Sequence, residues 1–456
     1  MAVEDPVDLR AEQEDVRRRG STWSALRPLV LRLHFYAGVF IAPFLVIAAL
    51  SGMLYVFTPQ LDEVVYDHEL HVAAATEPAR PLDEQIAAAR AARPGDELMA
   101  VRPAPTATDT TQVIFEAPDL PASYRRTAFV DPYTADVRGV LETYGSGQAL
   151  PIRAWVDNLH RGLHLGDAGR LYSELAASWM WVVALGGIAL WIGRRRRNRR
   201  SLVLPEPRAS GRRRLLSWHG ATGLWISIGL LFLSATGLTW SQHAGGNVTE
   251  LRSALSWETP VVSTELSGPA RQGDVGYDRV LAAAHARDVT GAVEIVPPAG
   301  PGQAYGVQQT GRSWPSQQDA VAVDPASGAV VDVQRFADYP LAAKLARWGI
   351  DAHMGLLFGL PNQLVLVVLM GGLLTLIATG YRMWWSRPGS RAFGRPPERG
   401  AWRRVPGRVL APIVVVVALV GYFLPMMGLS LLAFLLLDLL LGWRARRRAG
   451  IEEVAR

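Results

Sequence analysis

Long stretches without a formally charged residue dominate the chain. There is none between Arg32 and Asp62, between Glu174 and Arg194, between Arg214 and Glu250, or between Asp351 and Arg382. From Val409 to Trp443 the only charge is Asp438. A membrane-crossing helix takes about 20 apolar residues, so the first four stretches each predict one span. The last has Pro425 near its middle and predicts a hairpin of two short spans, giving six in all. Between the spans the pattern changes. Residues 81–93 (PLDEQIAAARAAR) predict a helix stopped by Pro94-Gly95, and alternating segments such as TQVIFEA and RTAFVDPYTADVRGVL predict strands around a turn at Asp131-Pro132-Tyr133-Thr134. Tyr277–Arg287 predicts a second helix, followed by AYGVQQ and AVAVDPASGAVVDV as strands and turn. Each segment reads as one helix on a small antiparallel sheet.

The chain also repeats itself. His34, Gly38 and Gly52 recur as His219, Gly223 and Gly237 at a constant spacing of 185. Farther along the spacing is 193: Asp131-Pro132 matches Asp324-Pro325, and Trp155 and His160 match Trp348 and His353. Gly162, Leu163 and Gly166 match Gly355, Leu356 and Gly359; Gly187 and Trp191 match Gly380 and Trp384. The expected unit is span, outer domain, span, occurring twice, with the 409–443 hairpin appended.

Charge then fixes an orientation. The net charge of +6 does not point to nucleic acid, because the basic runs flank the spans: Arg17–Arg19, Arg194–Arg197, Arg212–Arg214, Arg403-Arg404 and Arg446–Arg448. Under the positive-inside rule these are cytoplasmic. Both termini then face the cytoplasm, and two large segments face outward across the cell membrane. No cleavable signal peptide is expected, since the first apolar stretch is too long and begins too far in. The chain has no cysteine, which excludes disulfides, thiolate metal sites, Cys-ligated iron–sulfur clusters and thioether-linked haem.

Nine histidines remain as candidate chemistry. His34, His160, His164, His219 and His353 lie in spans or at their approaches, where an ionisable group is costly and faces a bundle interior or a cavity. Only His34/His219 and His160/His353 recur in both copies. A pseudo-twofold axis along the membrane normal would bring each pair together, and two neutral imidazoles from facing helices are suitable axial ligands for haem iron. Two haems, one near each membrane face, would form an electron path. Gly38, Gly52, Gly223 and Gly237 allow close helix approach or room for a flat macrocycle. Trp191 and Trp384, being repeated, are candidates to pack near the inner haem. His164, whose counterpart is Leu357, is a second-tier candidate at the outer site, as is His243. His68, His71 and His285 are expected to be solvated. Zinc or non-haem iron would need three or four converging ligands, whereas these histidines fall at two depths.

The His34…Ser51-Gly52 span, the outer helix with its Asp-Pro turn, the Leu159-His160-Arg161…Gly166 approach and the arginine run after the second span resemble the PepSY-associated transmembrane family over about residues 25–390. The resemblance implies an iron-regulated or iron-uptake membrane protein. Some members are inner-membrane ferric-siderophore reductases with b-type haems. It implies haem-binding roles for His34, His160, His219 and His353, and PepSY domains for the outer segments. His164 and the C-terminal hairpin depart from the minimal four-span pattern.

The expected architecture is a polytopic α-helical membrane protein: a four-helix core from two tandem repeats, a C-terminal helical hairpin, and two extracytoplasmic α+β PepSY-like domains. Its segments are a cytoplasmic stretch over 1–28, a span over 29–58, an outer domain over 59–155, and a His-bearing approach and span over 156–193. A basic loop over 194–214, a span over 215–243, a second outer domain over 244–345, and an approach and span over 346–385 follow. A basic loop over 386–408, the hairpin over 409–443 and a tail over 444–456 complete the chain. The leading functional expectation is a di-haem oxidoreductase delivering electrons to an external ferric complex. No GxGxxG strand–helix unit for a nicotinamide or flavin is present, so the donor would be membrane quinol or a separate cytoplasmic reductase. The alternatives are a PepSY regulatory or partner-binding membrane protein and a siderophore or metal permease. The lack of charged groups in the spans argues against the permease.

Overall fold

The computed structural model describes residues 22–195, 200–267, 272–386 and 399–454. The basic residues Arg17–Arg19, Arg196 and Arg197 lie outside the described residues. The principal helices are α1 (Thr22–Phe40), α2 (Ala42–Val56), α3 (Thr58–Val65), α4 (Leu82–Ala92), α5 (Pro151–Gly162), α6 (Gly166–Arg195), α7 (Gly211–Thr239), α8 (Ala244–Ala254), α9 (Tyr277–His285), α10 (Leu341–His353), α11 (Leu360–Trp385), α12 (Gly407–Phe423) and α13 (Pro425–Val454). The strands are β1 (Leu98–Arg102), β2 (Thr111–Phe115), β3 (Tyr124–Val130), β4 (Val137–Tyr144), β5 (Val293–Val296), β6 (Tyr305–Gln309), β7 (Ala320–Val323) and β8 (Val330–Gln334).

The chain divides into two compact units. One, the helical unit, gathers the chain up to residue 50, residues 161–251 and the chain from 368. The other, the sheet unit, gathers residues 51–160 and 252–367.

Helices α6, α7, α11 and α13 are long and apolar enough to cross a membrane, and α1 with α2 pass the same test as a pair bent by 56°. The sequence predicts six spans; among the described residues there are four helices long and apolar enough, or five spans with the bent pair, and α12 is a shorter apolar helix of 17 residues. The bend has a local cause. Pro43 in the first turn of α2 has no N–H to offer the Val39 carbonyl, and proline at such a position kinks a helix. The freed carbonyl accepts the Tyr381 hydroxyl at 2.8 Å. Pro425 stands at the first position of α13, where a missing N–H costs nothing. The hairpin it opens closes on bare backbone: a Cβ on Gly428 would lie 2.3 Å from the Gly421 oxygen.

The two approach segments are separate helices rather than extensions of the spans. α5 ends at Gly162; Leu163 and His164 take φ of +52° and +55°, and Gly166, the first residue of α6, takes +60°. α10 ends at His353, and Gly355 and Gly359 take φ of +77° and +57° before α11. His164 therefore does not lie one helical turn beyond His160 on a common helix, as a continuous span would put it.

The sheet unit differs from the expected pair of small sheets. Its eight strands form one antiparallel sheet in the order β4-β3-β2-β1-β5-β6-β7-β8. The join is the β1–β5 pair, with Val101 opposite Ile295. Helices α4 and α9 lie on this sheet, and a single core contains Ile86, Ala89, Val101, Phe115, Val280, Ile295 and Val321. Each large apolar side chain buried there contributes about 1.5–3 kcal/mol. The two helices also complete each other: Asp278 at the start of α9 accepts the exposed first amide of α4, Leu82 N–H, at 3.0–3.1 Å. The turns match as well. Asp131 Oδ1 accepts Tyr133 N–H at 2.8 Å and Asp324 Oδ1 accepts Ala326 N–H at 2.9 Å.

Candidate functional site

His34 sits inside α1 and His219 inside α7, both in the helical unit. Their ring centroids are 6.4 Å apart and the ring planes are nearly perpendicular, at 83°. Each ring is held through Nδ1. His34 Nδ1–H donates to the Val183 carbonyl at 2.9 Å. His219 Nδ1 lies 3.1 Å from Thr379 Oγ1, and the Thr379 proton is committed to the Thr375 carbonyl at 2.7 Å. The threonine oxygen is thus the acceptor and His219 Nδ1–H the donor. This leaves Nε2 of each ring as the nitrogen suited to ligation, with orientation set by a hydrogen bond on the opposite side, as in ligating histidines generally.

Glycines face both rings across the helix contacts. A Cβ on Gly187 would stand 3.1 Å from His34 Cε1, and one on Gly380 would stand 3.6 Å from His219 Cε1. The rings open onto a cavity of ≈ 350 Å³ whose wall includes Gly38, Val39, Gly187, Gly223, Gly380, Tyr381, Trp191 and Trp384. That volume lies within the range of small-molecule and cofactor sites. Trp191 is buried, packs over Gly220 and donates from Nε1 to the Leu202 carbonyl at 2.9 Å. Trp384 meets Phe35 edge to face. Both tryptophans are wall, not ligands. Arg27, Arg194 and Arg212 also line the cavity.

The second pair lies in the sheet unit. His160 is near the C-terminal end of α5 and its Nδ1 shares a 2.9 Å hydrogen bond with Ser51 Oγ, itself buried. His353 closes α10, within electrostatic reach of His160. Beside His353 on α10, Asp351 is fully buried, and its two oxygens take Arg312 Nε at 2.9 Å and Arg347 Nε at 2.8 Å. Burial lowers the Arg312 pKa, and the Asp351 carboxylate opposes that shift. The Asp351 backbone oxygen receives the Leu356 and Leu357 amides at 2.8 and 3.1 Å, which closes the turn after His353.

The structure thus brings His34 to His219, and sets His353 within electrostatic reach of His160. The second-tier residues are elsewhere in kind. His164 is exposed in the turn after α5. His243 is exposed, and its backbone amide, with that of Ala244, is taken by the buried Glu174 carboxylate at 2.9 and 3.0 Å. His71, expected to be simply solvated, pairs with Glu63 at 2.7 Å and Asp109 at 3.3 Å. The Glu63 hydrogen bond raises its pKa. His68 Nδ1 lies 3.0 Å from Arg138 Nη2. Among the described residues no group of three or more His, Asp or Glu side chains could hold a metal ion. Thr379 and the Val183 carbonyl gave no sequence signal: Thr379 has glycine, Gly186, at its repeat position.

Two imidazoles on one metal, each nitrogen about 2 Å from it and roughly 1 Å from its own ring centre, put the centroids about 6 Å apart. The His34–His219 spacing suits that arrangement.

Apolar helices of span length with a separate antiparallel sheet region define a multi-pass helical membrane protein. Residues 31–387 match the family described as the PepSY-associated TM region, and the chain belongs to that family, a class of membrane proteins with PepSY domains. A comparison with curated proteins finds no match.

Proposed function

We propose that the chain is a haem-carrying electron-transfer protein of the cell membrane. It holds one haem b between His34 and His219 and a second between His160 and His353. It passes electrons outward to a ferric complex, of which a ferric siderophore is the class the family resemblance suggests, in iron acquisition. The carrying observation is the 6.4 Å spacing of the His34 and His219 rings with both Nδ1 atoms engaged elsewhere.

Bound there, haem supplies a one-electron iron couple. The chain's own residues do the rest. Val183 and Thr379 keep the imidazoles in the tautomer whose Nε2 lone pair can ligate. Gly187 and Gly380 leave the rings unobstructed, and Leu373, Leu376 and Ile377 give the cavity an apolar wall. At the second pair, Ser51 fixes the His160 ring. In sequence, His34 and His219 follow basic flanks, whereas His160 and His353 precede the next spans. Under the positive-inside rule this puts the first pair near the cytoplasm, the second near the outside, and both termini inside. Electrons enter from quinol or a separate reductase.

The test is the reduced-minus-oxidised visible spectrum of the purified protein beside the His34→Ala/His219→Ala variant. Sharp b-type bands that fall by about half are expected for two bis-histidine haems. Protein made with ample haem supply that shows no such bands would overturn the reading.

A further inference from the structure

The cavity at His34 and His219 has a charged end that the ligand pair does not explain. Arg27 and Arg212 both line it. Each stands seven residues before its histidine, and the two are related by the same spacing of 185. Two helical turns separate guanidinium and imidazole along each helix, about 10 Å of rise. Neither arginine has a carboxylate partner among the described residues, whereas the adjacent Arg213 is paired to Glu206 at 2.9 Å. Both are exposed at the mouth of a mostly apolar cavity, where an anionic group on an occupant can pair with them.

We propose that Arg27 and Arg212 are the anion-binding end of this site and receive the carboxylates of the haem propionates. The assignment rests on the haem reading and deepens it. Guanidinium forks match carboxylates in a bidentate way, and a macrocycle held at its iron by two helices is still free to turn about the ligand axis. Two arginines at equivalent positions on those same helices remove that freedom. They also set the redox poise, because a nearby cation disfavours the oxidised, more positive iron.

The experiment is a potentiometric titration of full-length purified protein at several pH values. The haem followed is the one whose band is missing in His34→Ala/His219→Ala. In Arg27→Gln/Arg212→Gln its potential is expected to fall by the equivalent of about tenfold in the reduction equilibrium, 59 mV for one electron. That potential is also expected to become pH-dependent, since a propionate without its guanidinium titrates in a higher range. Arg213→Gln removes the same charge one residue away and is expected to leave the potential unchanged. Arg27→Lys/Arg212→Lys is expected to restore most of the potential. If the double variant loses its haem, the single variants Arg27→Gln and Arg212→Gln carry the titration, with about half the shift each.

An unchanged, pH-flat potential in a variant that keeps the haem overturns the assignment and leaves the haem reading standing. A shift without pH dependence also overturns it, and points to a lipid phosphate on the same guanidiniums. Wild-type protein without haem removes both.

Discussion

Arg32 in α1 donates from Nη2 to Asp438 Oδ1 in α13 at 2.6 Å, so the last charge before the first apolar stretch is neutralised by the only charge in the last one. Arg32 is buried and stacks over Tyr36, with its guanidinium 5.0 Å from the ring centre. Arg399 joins the same carboxylate at 3.0 Å. A charge in a membrane segment is tolerated when paired within the bundle, and here the pair ties the appended hairpin to the first span. Asp438→Leu takes this carboxylate away from Arg32 and is expected to cost about 2 kcal/mol of stability in detergent. Arg32→Leu/Asp438→Leu is expected to recover most of it. Thermal unfolding of the four proteins of the cycle measures the coupling, and additive losses would show that the pair does not hold the hairpin.

The bend between α1 and α2 offers a second cycle. Tyr381→Phe leaves the Val39 carbonyl without the hydroxyl it accepts and is expected to cost about 1 kcal/mol. In a Pro43→Ala background the new backbone amide at that position can take the carbonyl, so the same change is expected to cost much less. Equal losses in both backgrounds would separate the tyrosine from the bend.

Thr379→Val keeps the volume but removes the acceptor of His219 Nδ1–H. The haem assigned to His34 and His219 is expected to bind about tenfold more weakly, within the usual span for such outer hydrogen bonds. Its potential is expected to rise, because the imidazole becomes a poorer donor to oxidised iron. Haem titration and potentiometry of the purified variant read both.

Gly187→Leu fills the space beside His34, where even a Cβ would lie 3.1 Å from the ring. The variant is expected to lose the same absorption band as His34→Ala. Gly246→Ala, where an added Cβ meets nothing within 4 Å, is the control and should keep both bands.

Asp62 in α3 gives a pH dependence outside the spans. It is buried, and Oδ1 has no hydrogen-bond partner among the described residues. Burial pushes its pKa up to about 6, with Arg153 opposing and Glu63 adding. A carboxyl raised in the folded state is a liability once ionised. The resulting loss of stability grows between about pH 4 and pH 6 and is complete above that. Asp62→Asn is expected to stabilise the protein by on the order of 1–2 kcal/mol at pH 8 and to be neutral near pH 4. Unfolding temperatures at the two pH values check the sign.

Much of this was legible beforehand because it rests on local rules. Uncharged runs marked α6, α7, α11 and α13, and alternation marked β2, β3, β4, β6, β7 and β8. The period of 185 singled out His34 and His219, and the period of 193 singled out His160 and His353. Strands β1 and β5 are not singled out by the sequence pattern. Yet their pairing turns two sheets into one, since an unpaired strand edge needs a partner and only the folded chain brings that partner near. The 56° bend was written in Pro43, but a lone proline in an apolar run does not say how far a helix turns.

The sequence by itself determined the apolar runs, the family, the repeat and the four repeated histidines, because each depends on spacing along one chain. Tertiary structure alone decided that His34 and His219 stand 6.4 Å apart, that Thr379 and Val183 hold their Nδ1 atoms, and that Arg32 meets Asp438. Those relationships join residues up to 406 positions apart, and no periodicity encodes a contact that exists only after helices have packed.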